Sequence, residues 1–290
     1  MTVCIAGVCK AEKASRRIIL CSDTLIDYQG IGNITTYGKS AGISSSWCLM
    51  YAGDVPKARE LSMRIGSHFR TFDNNAVHLT DDVIRDAIRK PLREQQNADA
   101  DNYVYSQIGM SLDDMLSPSR AIPEQTKNEI LRDIRTMQVG CDLILAGFVR
   151  DEPRLYTVLN GSVDEAEGVV AIGCGYAAAL ASLCKRNYQP EMDIEEALYY
   201  IYEAKKASEG IAGVGDGTSV WVVASPYRTS QHAMPLSNFD FLDEQHKRFG
   251  LQPFFRSADR EEMKRIADPN LEFSNLPPVA KSSQQLPKGE

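Results

Sequence analysis

Thr2 stands directly behind Met1 and opens a short apolar run, Val3-Cys4-Ile5-Ala6-Gly7-Val8. If an aminopeptidase removes Met1, this one residue carries both a hydroxyl and a free α-amine. The hydroxyl is a potential nucleophile, and an α-amine with a pKa of about 7.7–8.0 takes up its proton near neutral pH. Taken singly, a small second residue has a plain reading, because such residues are common in processed proteins. The other chemistry-bearing residues point elsewhere less well. His68, His78, His232 and His246 are scattered, with no HxxxH or HExxH spacing, which argues against a zinc hydrolase. Gly213-Val214-Gly215-Asp216-Gly217 lacks the Lys-Ser/Thr of a phosphate loop and precedes a strand-like run, so it reads as a tight turn.

The seven cysteines, Cys4, Cys9, Cys21, Cys48, Cys141, Cys174 and Cys184, form no CxxC pair. Most lie inside apolar runs, where a thiol behaves as a small buried hydrophobe. The expectation is a reducing, cytoplasmic compartment with no disulfide framework and no structural zinc. The formal charge of −7 argues against a general nucleic-acid binder. No apolar run is long enough to span a bilayer, and the start of the sequence lacks the basic and apolar segments of a signal peptide.

The elements that must position Thr2 follow from periodicity. Residues 2–9 and 17–22 read as two strands of a hairpin around the polar turn 10–16, with a Gly-rich connection at 28–33 and more strand-like sequence to about residue 52. From Val55 to about Phe72, Ala58, Leu61, Ile65 and Phe69 recur at helical spacing just after Ala52-Gly53-Asp54. Residues 73–138 are polar and mostly helical in pattern, broken by Pro91, Pro118 and Pro123, and 94–102 reads as a solvated loop. Strands are predicted over 141–149 and 154–159, helices over 174–186 and 193–208, and a final core strand over 219–224. After Pro226 the character changes, and the last fifteen or so residues are expected to be flexible. Strand blocks before and after a helical block suggest sheets between helical layers, not the strict alternation of a doubly wound fold.

Four segments now combine: Thr2, Ile18-Ile19-Leu20-Cys21-Ser22-Asp23, Gly38-Lys39 and Tyr51-Ala52-Gly53-Asp54. Asp23 and Lys39 are 16 positions apart, and Lys39 and Gly53 are 14 apart. In this register the chain resembles the catalytic β-type subunits of the proteasome and its bacterial relatives HslV and Anbu. Val170-Ala171-Ile172-Gly173-Cys174-Gly175-Tyr176-Ala177 resembles the family's Gly-Ser-Gly strand-to-helix junction, with Cys174 in place of the serine. The likeness covers residues 2–70 and 139–224. It implies an α+β fold, the four-layer αββα sandwich of N-terminal-nucleophile hydrolases. The domain is expected over 2–225 with a helical insertion at 73–138, followed by a C-terminal extension over 226–290.

The resemblance also implies roles. Thr2 Oγ attacks an amide carbonyl while its own α-amine accepts the proton. Lys39 favours the deprotonated amine and the developing alkoxide, Asp23 pairs with Lys39, and the Gly53 N–H donates to the oxyanion. Cys174 is expected to support the site. The family's Asp-x-x-Ser-Gly motif matches Glu209-Gly210-Ile211-Ala212-Gly213 with two changes, and a second register places Asp216 and Ser219 there instead. Both registers stay open. The implied activity is a threonine peptidase that acts on peptide or unfolded protein and assembles as a homo-oligomeric ring or related assembly. No cofactor is implied, and any regulatory partner is unspecified. The alternatives are a catalytically inactive subunit of the same fold and an amidase acting on small amides.

Overall fold

The computed structural model describes residues 2–11, 15–28, 32–35, 39–75, 79–117, 122–225, 232–234, 237–249, 261–263 and 265–266. The first block of the chain gives β1 (Cys4–Lys10), β2 (Arg16–Asp23), β3 (Leu25–Tyr28), β4 (Gly32–Thr35), β5 (Ser40–Gly42) and β6 (Trp47–Gly53). Helices α1 (Val55–Asn75), α2 (Asp81–Ile108), α3 (Leu112–Leu116) and α4 (Glu124–Thr136) follow. Next come β7 (Cys141–Val149), β8 (Glu152–Leu159), β9 (Ser162–Ala166), β10 (Val169–Ile172), α5 (Tyr176–Lys185) and α6 (Ile194–Ser208). The elements β11 (Thr218–Ala224), β12 (His232–Ala233) and α7 (Ser237–Phe249) complete the order.

The strands form two five-stranded antiparallel sheets, ordered β10-β1-β2-β11-β12 and β5-β6-β7-β8-β9, with β3 and β4 as a separate pair. Helices and strands are segregated, so the class is α+β. The period of two along β1 sends its side chains to two different cores. Val3, Ile5 and Cys9 pack with α5 and α6 residues such as Leu183, Leu198 and Tyr202. Cys4, Ala6 and Val8 pack with Cys48, Met50, Ile144 and Phe148 of the other sheet. On that second sheet, Trp47, Leu49, Leu143 and Tyr156 meet Leu61, Phe69, Ile84 and Ile88 of α1 and α2. Trp47 is fully buried, with its ring centroid 5.2 Å from Phe69 and 6.1 Å from Tyr156. Truncating a side chain so placed costs about 3–5 kcal/mol.

Tight turns set the second sheet's register. Arg150 and Asp151 (φ 50° and 68°) join β7 to β8, and Asn160 and Gly161 (φ 49° and 84°) join β8 to β9. Both are two-residue turns with both residues left-handed, whose twist suits a hairpin. The strand β9 was not anticipated from sequence, although Asn160-Gly161 is a strong hairpin signal.

The insertion departs most from expectation. Helix α2 runs through Pro91 and through residues 94–102, which the sequence reads as a break and a solvated loop. Its ends are well marked: the Thr80 hydroxyl accepts from the Val83 N–H, and Gly109 closes it in the left-handed conformation. The polar stretch stays helical because its side chains have partners. Asp99 pairs with Lys57 at 3.0 Å and accepts from Gln95, while Ala100 and Val104 are buried. Pro118 and the Pro-rich tail from 267 onward lie outside the described residues, whereas Pro123 sits at the N-terminus of α4. Beyond β11, Leu242 of α7 and Met263 and Ile266 join the core cluster that contains α5 and α6.

Candidate active site

The first two strands place the start of the chain. Thr2 lies just before β1 and is 2 % exposed. Pairing of Cys4 with Ser22 brings the end of β2 alongside it, and Asp23, at that end, is fully buried. Lys39, just before β5, is also buried, and its carbonyl accepts the Tyr51 N–H at 3.1 Å, tying it to β6. Two sheets therefore deliver these three residues to one point.

At that point Lys39 Nζ donates to both Asp23 oxygens, at 3.0 and 3.1 Å. The Thr2 hydroxyl is hydrogen-bonded to Asp23 Oδ1 and receives a hydrogen bond from Lys39 Nζ. Asp23 takes two backbone donors as well, Val3 N–H at 3.0 Å and Gly215 N–H at 3.2 Å. A buried ion pair is tolerable only when its remaining lone pairs are satisfied, and here both carboxylate oxygens are saturated. Nearby Cys4 donates its thiol to Tyr51 O at 3.3 Å; burial pushes that thiol well above its usual range, and the charge of Lys39 opposes the rise.

The segment between β10 and α5 holds the other side of Thr2. Its carbonyl accepts the Gly175 N–H at 3.2 Å and the Cys174 thiol at 3.3 Å. Gly173 has φ +86°, and a Cβ there would lie 2.4 Å from Thr2 O and 2.9 Å from Thr2 Cγ2. Only glycine combines that backbone angle with so close an approach. Cys174 is exposed, and its sulfur also lies 3.6 Å from Ala212 O.

The remaining sequence candidates sit differently. Gly53 ends β6 opposite Cys141 with φ +98°, and a Cβ there would lie 2.5 Å from Gly140 O. Among the described residues no hydrogen bond joins Gly53 to Thr2. Glu209 caps α6 and pairs with Lys205 and Lys206, away from the Thr2 hydroxyl. Asp216 contributes its carbonyl, which accepts from Lys205 Nζ at 2.7 Å. Ser219 lies in β11 opposite Ser22, one pair inward from Thr218 and Asp23. Gly38 and His78 lie outside the described residues.

Sequence reading missed the contribution of the 213–217 turn. It places the Gly215 N–H on Asp23, and Gly217 O accepts the Thr24 N–H at 3.2 Å. The available signal was three alternate glycines immediately before the strand that pairs with β2. Among the described residues no group of three or more His, Cys, Asp or Glu side chains is placed to hold a metal, and no helix is long and apolar enough to cross a membrane.

A family model described as proteasome subunit matches residues 110–223. That stretch is similar to a proteasome subunit. It runs from α3 through β11, and so includes the junction on the Thr2 carbonyl and the turn that reaches Asp23. It stops short of Thr2, Asp23, Lys39 and Gly53 themselves. No curated protein matches the sequence.

Proposed function

We propose that this chain is a threonine peptidase that uses Thr2 as an N-terminal nucleophile once whatever precedes it is removed. The observation that carries this reading is the convergence of Lys39 Nζ and the Asp23 carboxylate on the Thr2 hydroxyl. Thr2 Oγ attacks the amide carbonyl carbon, and its proton passes to the Thr2 amine, directly or through a water. Lys39 keeps that amine unprotonated by like-charge repulsion and stabilises the alkoxide as it forms. Asp23 holds Lys39 in place. The oxyanion of the tetrahedral intermediate takes the N–H of Gly53, at the end of β6. Collapse expels the amine product with the transferred proton and leaves an acyl ester on Thr2, which water hydrolyses.

The three core clusters support a four-layer αββα arrangement, with α5–α7 on one sheet, α1 and α2 on the other, and an apolar interior between sheets. The corresponding domain spans 2–225, with 226–290 as an extension. Likeness to proteasome subunits supports assembly into a closed homo-oligomer in the cytoplasm, acting on peptide or unfolded protein.

A second reading, an inactive subunit kept for assembly, has one observation in its favour: Thr2 is 2 % exposed and its hydroxyl is already engaged. One experiment separates the two. Intact mass establishes whether Thr2 is the N-terminus, and the protein is then treated with a peptide electrophile that esterifies threonine. The peptidase reading expects one adduct per chain on Thr2, and peptide cleavage lost in Thr2→Ala. An unreactive Thr2 with a free amine sinks it.

A further inference from the structure

Lys205 is a fully buried lysine in the last turn of α6, and the chemistry above makes no use of it. An ammonium placed there is costly unless its protons are all used. Its Nζ donates to the Glu209 carboxylate and, at 2.7 Å, to the Asp216 carbonyl. These two acceptors bracket the loop that carries Gly215. Lys206 secures the outer side, reaching Glu209 at 3.1 Å and Asp243 of α7 at 3.1 Å.

The loop so held has little room to move. A Cβ at Gly215 would lie 2.5 Å from Leu25 Cβ, and one at Gly217 would lie 2.1 Å from Thr24 Oγ1. The loop therefore packs directly on the residues that follow Asp23. Its one polar contact with the carboxylate is the Gly215 N–H on Asp23 Oδ2, at 3.2 Å. The charge of Lys205 is also felt on β2 itself. Burial pushes the Cys21 thiol up to about 12, and Lys205 is the first charge opposing that rise.

We infer that Lys205 is a positioning residue for the Thr2 site: it ties the Asp216 carbonyl so that the neighbouring Gly215 N–H stays on Asp23, and Asp23 stays on Thr2 and Lys39. The carboxylate of Glu209 serves to neutralise Lys205, not to touch Thr2. This rests on the reading of Thr2 as the nucleophile, and the test has one arm that does not.

Removing Lys205 alone leaves Glu209 with Lys206 as its partner and unbalances the charge beside α6, so the informative variant is Lys205→Met with Glu209→Gln, which deletes both charges and keeps the volume. Circular dichroism and the melting curve check its fold. Glu209→Gln alone, which keeps a side-chain oxygen to accept from Lys205 and leaves the Asp216 carbonyl as its other acceptor, is the control. In the first arm, NMR reads amide exchange at Gly215; the double variant is expected to lose protection by about tenfold or more, the worth of a hydrogen bond to a charged group. In the second arm, a peptide electrophile titrates Thr2. The double variant is expected to show a maximal labelling rate about tenfold lower with its half-saturating concentration little changed, and Glu209→Gln to stay near wild type.

The inference is overturned if Gly215 keeps its protection in the double variant, or if protection falls while Thr2 labels at the wild-type rate. A wild-type protein that is never labelled removes the peptidase reading instead, and Gly215 exchange then still decides whether Lys205 holds the loop.

Discussion

Replacing Lys39 by Met tests how much of the site's geometry is an electrostatic construction. Lys39 Nζ lies 3.0 Å from Asp23 Oδ1, with both side chains almost wholly buried. At an effective dielectric of about 20, unit charges at that separation attract by about 5.5 kcal/mol, most of it offset by desolvation. Breaking a buried pair by removing one partner costs about 3–5 kcal/mol, because the other charge is left behind. Asp23 keeps its bonds from Val3, Gly215 and Thr2, so the loss belongs at the lower end, about 3 kcal/mol. For a domain of this size that lowers the melting temperature by roughly 6–10 °C. Adding Asp23→Asn removes the stranded charge while the amide oxygen still accepts one backbone N–H. The double variant is therefore expected to recover about 2 kcal/mol relative to the additive sum of the two singles. Urea unfolding at one protein concentration, read by tryptophan fluorescence, supplies all four corners of the cycle. Lys39→Met within about 0.5 kcal/mol of wild type, or strict additivity in the cycle, refutes the reasoning, since either result describes a hydrated pair worth what surface pairs are worth.

Gly173→Ala forces a methyl to 2.4 Å from the Thr2 carbonyl at φ +86°, so it is expected to lower stability by about 2–4 kcal/mol and to slow labelling of Thr2, checked by melting curve and electrophile titration. A thiol reagent on the native protein is expected to modify Cys174 and Cys184 first, and to reach Cys9, Cys21 and Cys48, buried and pushed up to about 12, only on unfolding. Those three thiols start from 9.0, and Tyr199 is raised by burial from 10.0 to about 12, so the folded state holds these protons more tightly than the unfolded one. The stability they contribute is complete below about pH 9 and is lost as pH rises toward 12, so urea midpoints are expected to fall steadily across that window. Pro91→Ala restores an N–H inside α2 and is expected to stabilise by about 1–2 kcal/mol in thermal unfolding, the helix gain less the lost ring packing.

What could be read from sequence was the part written in short periods. The β1–β2 hairpin, α1, β7, β8, α5, α6 and β11 all announce themselves by alternation or helical spacing, and each is present within a few residues of its predicted bounds. The convergence of Thr2, Asp23 and Lys39 came from spacing and resemblance together. The Gly215 contact could not be found this way, because a backbone N–H leaves no mark in the identity of its residue. Residues 94–102 misled because a polar composition looks the same in a solvated loop and on the outer face of a helix; the difference is made by Lys57, some forty residues earlier, pairing with Asp99. Motif position offers Glu209 in one of two open registers, and in the structure its carboxylate pairs with Lys205 and Lys206 at the end of α6, partners that the motif does not reveal.

Helix α2 belongs to two interiors at once. Ile84, Ile88 and Leu92 are embedded against the second sheet, whereas Val104 joins Met115 of α3 and Ile130 of α4 in a separate cluster of three buried residues, with partly buried side chains such as Tyr103, Ile108 and Leu131 packed around it. At 1.5 Å per residue its 28 residues extend about 42 Å, and its contact with the sheet reaches Gln96, whose Nε2 would lie 2.5 Å from a Cβ at Gly161 in the β8–β9 turn. So small a cluster is the natural place for the molecule to open first, as a subglobal unit of its own. Melting would then begin in this outer cluster and travel down a single continuous helix, arriving at the sheet that presents Lys39 only after the outer helices are gone.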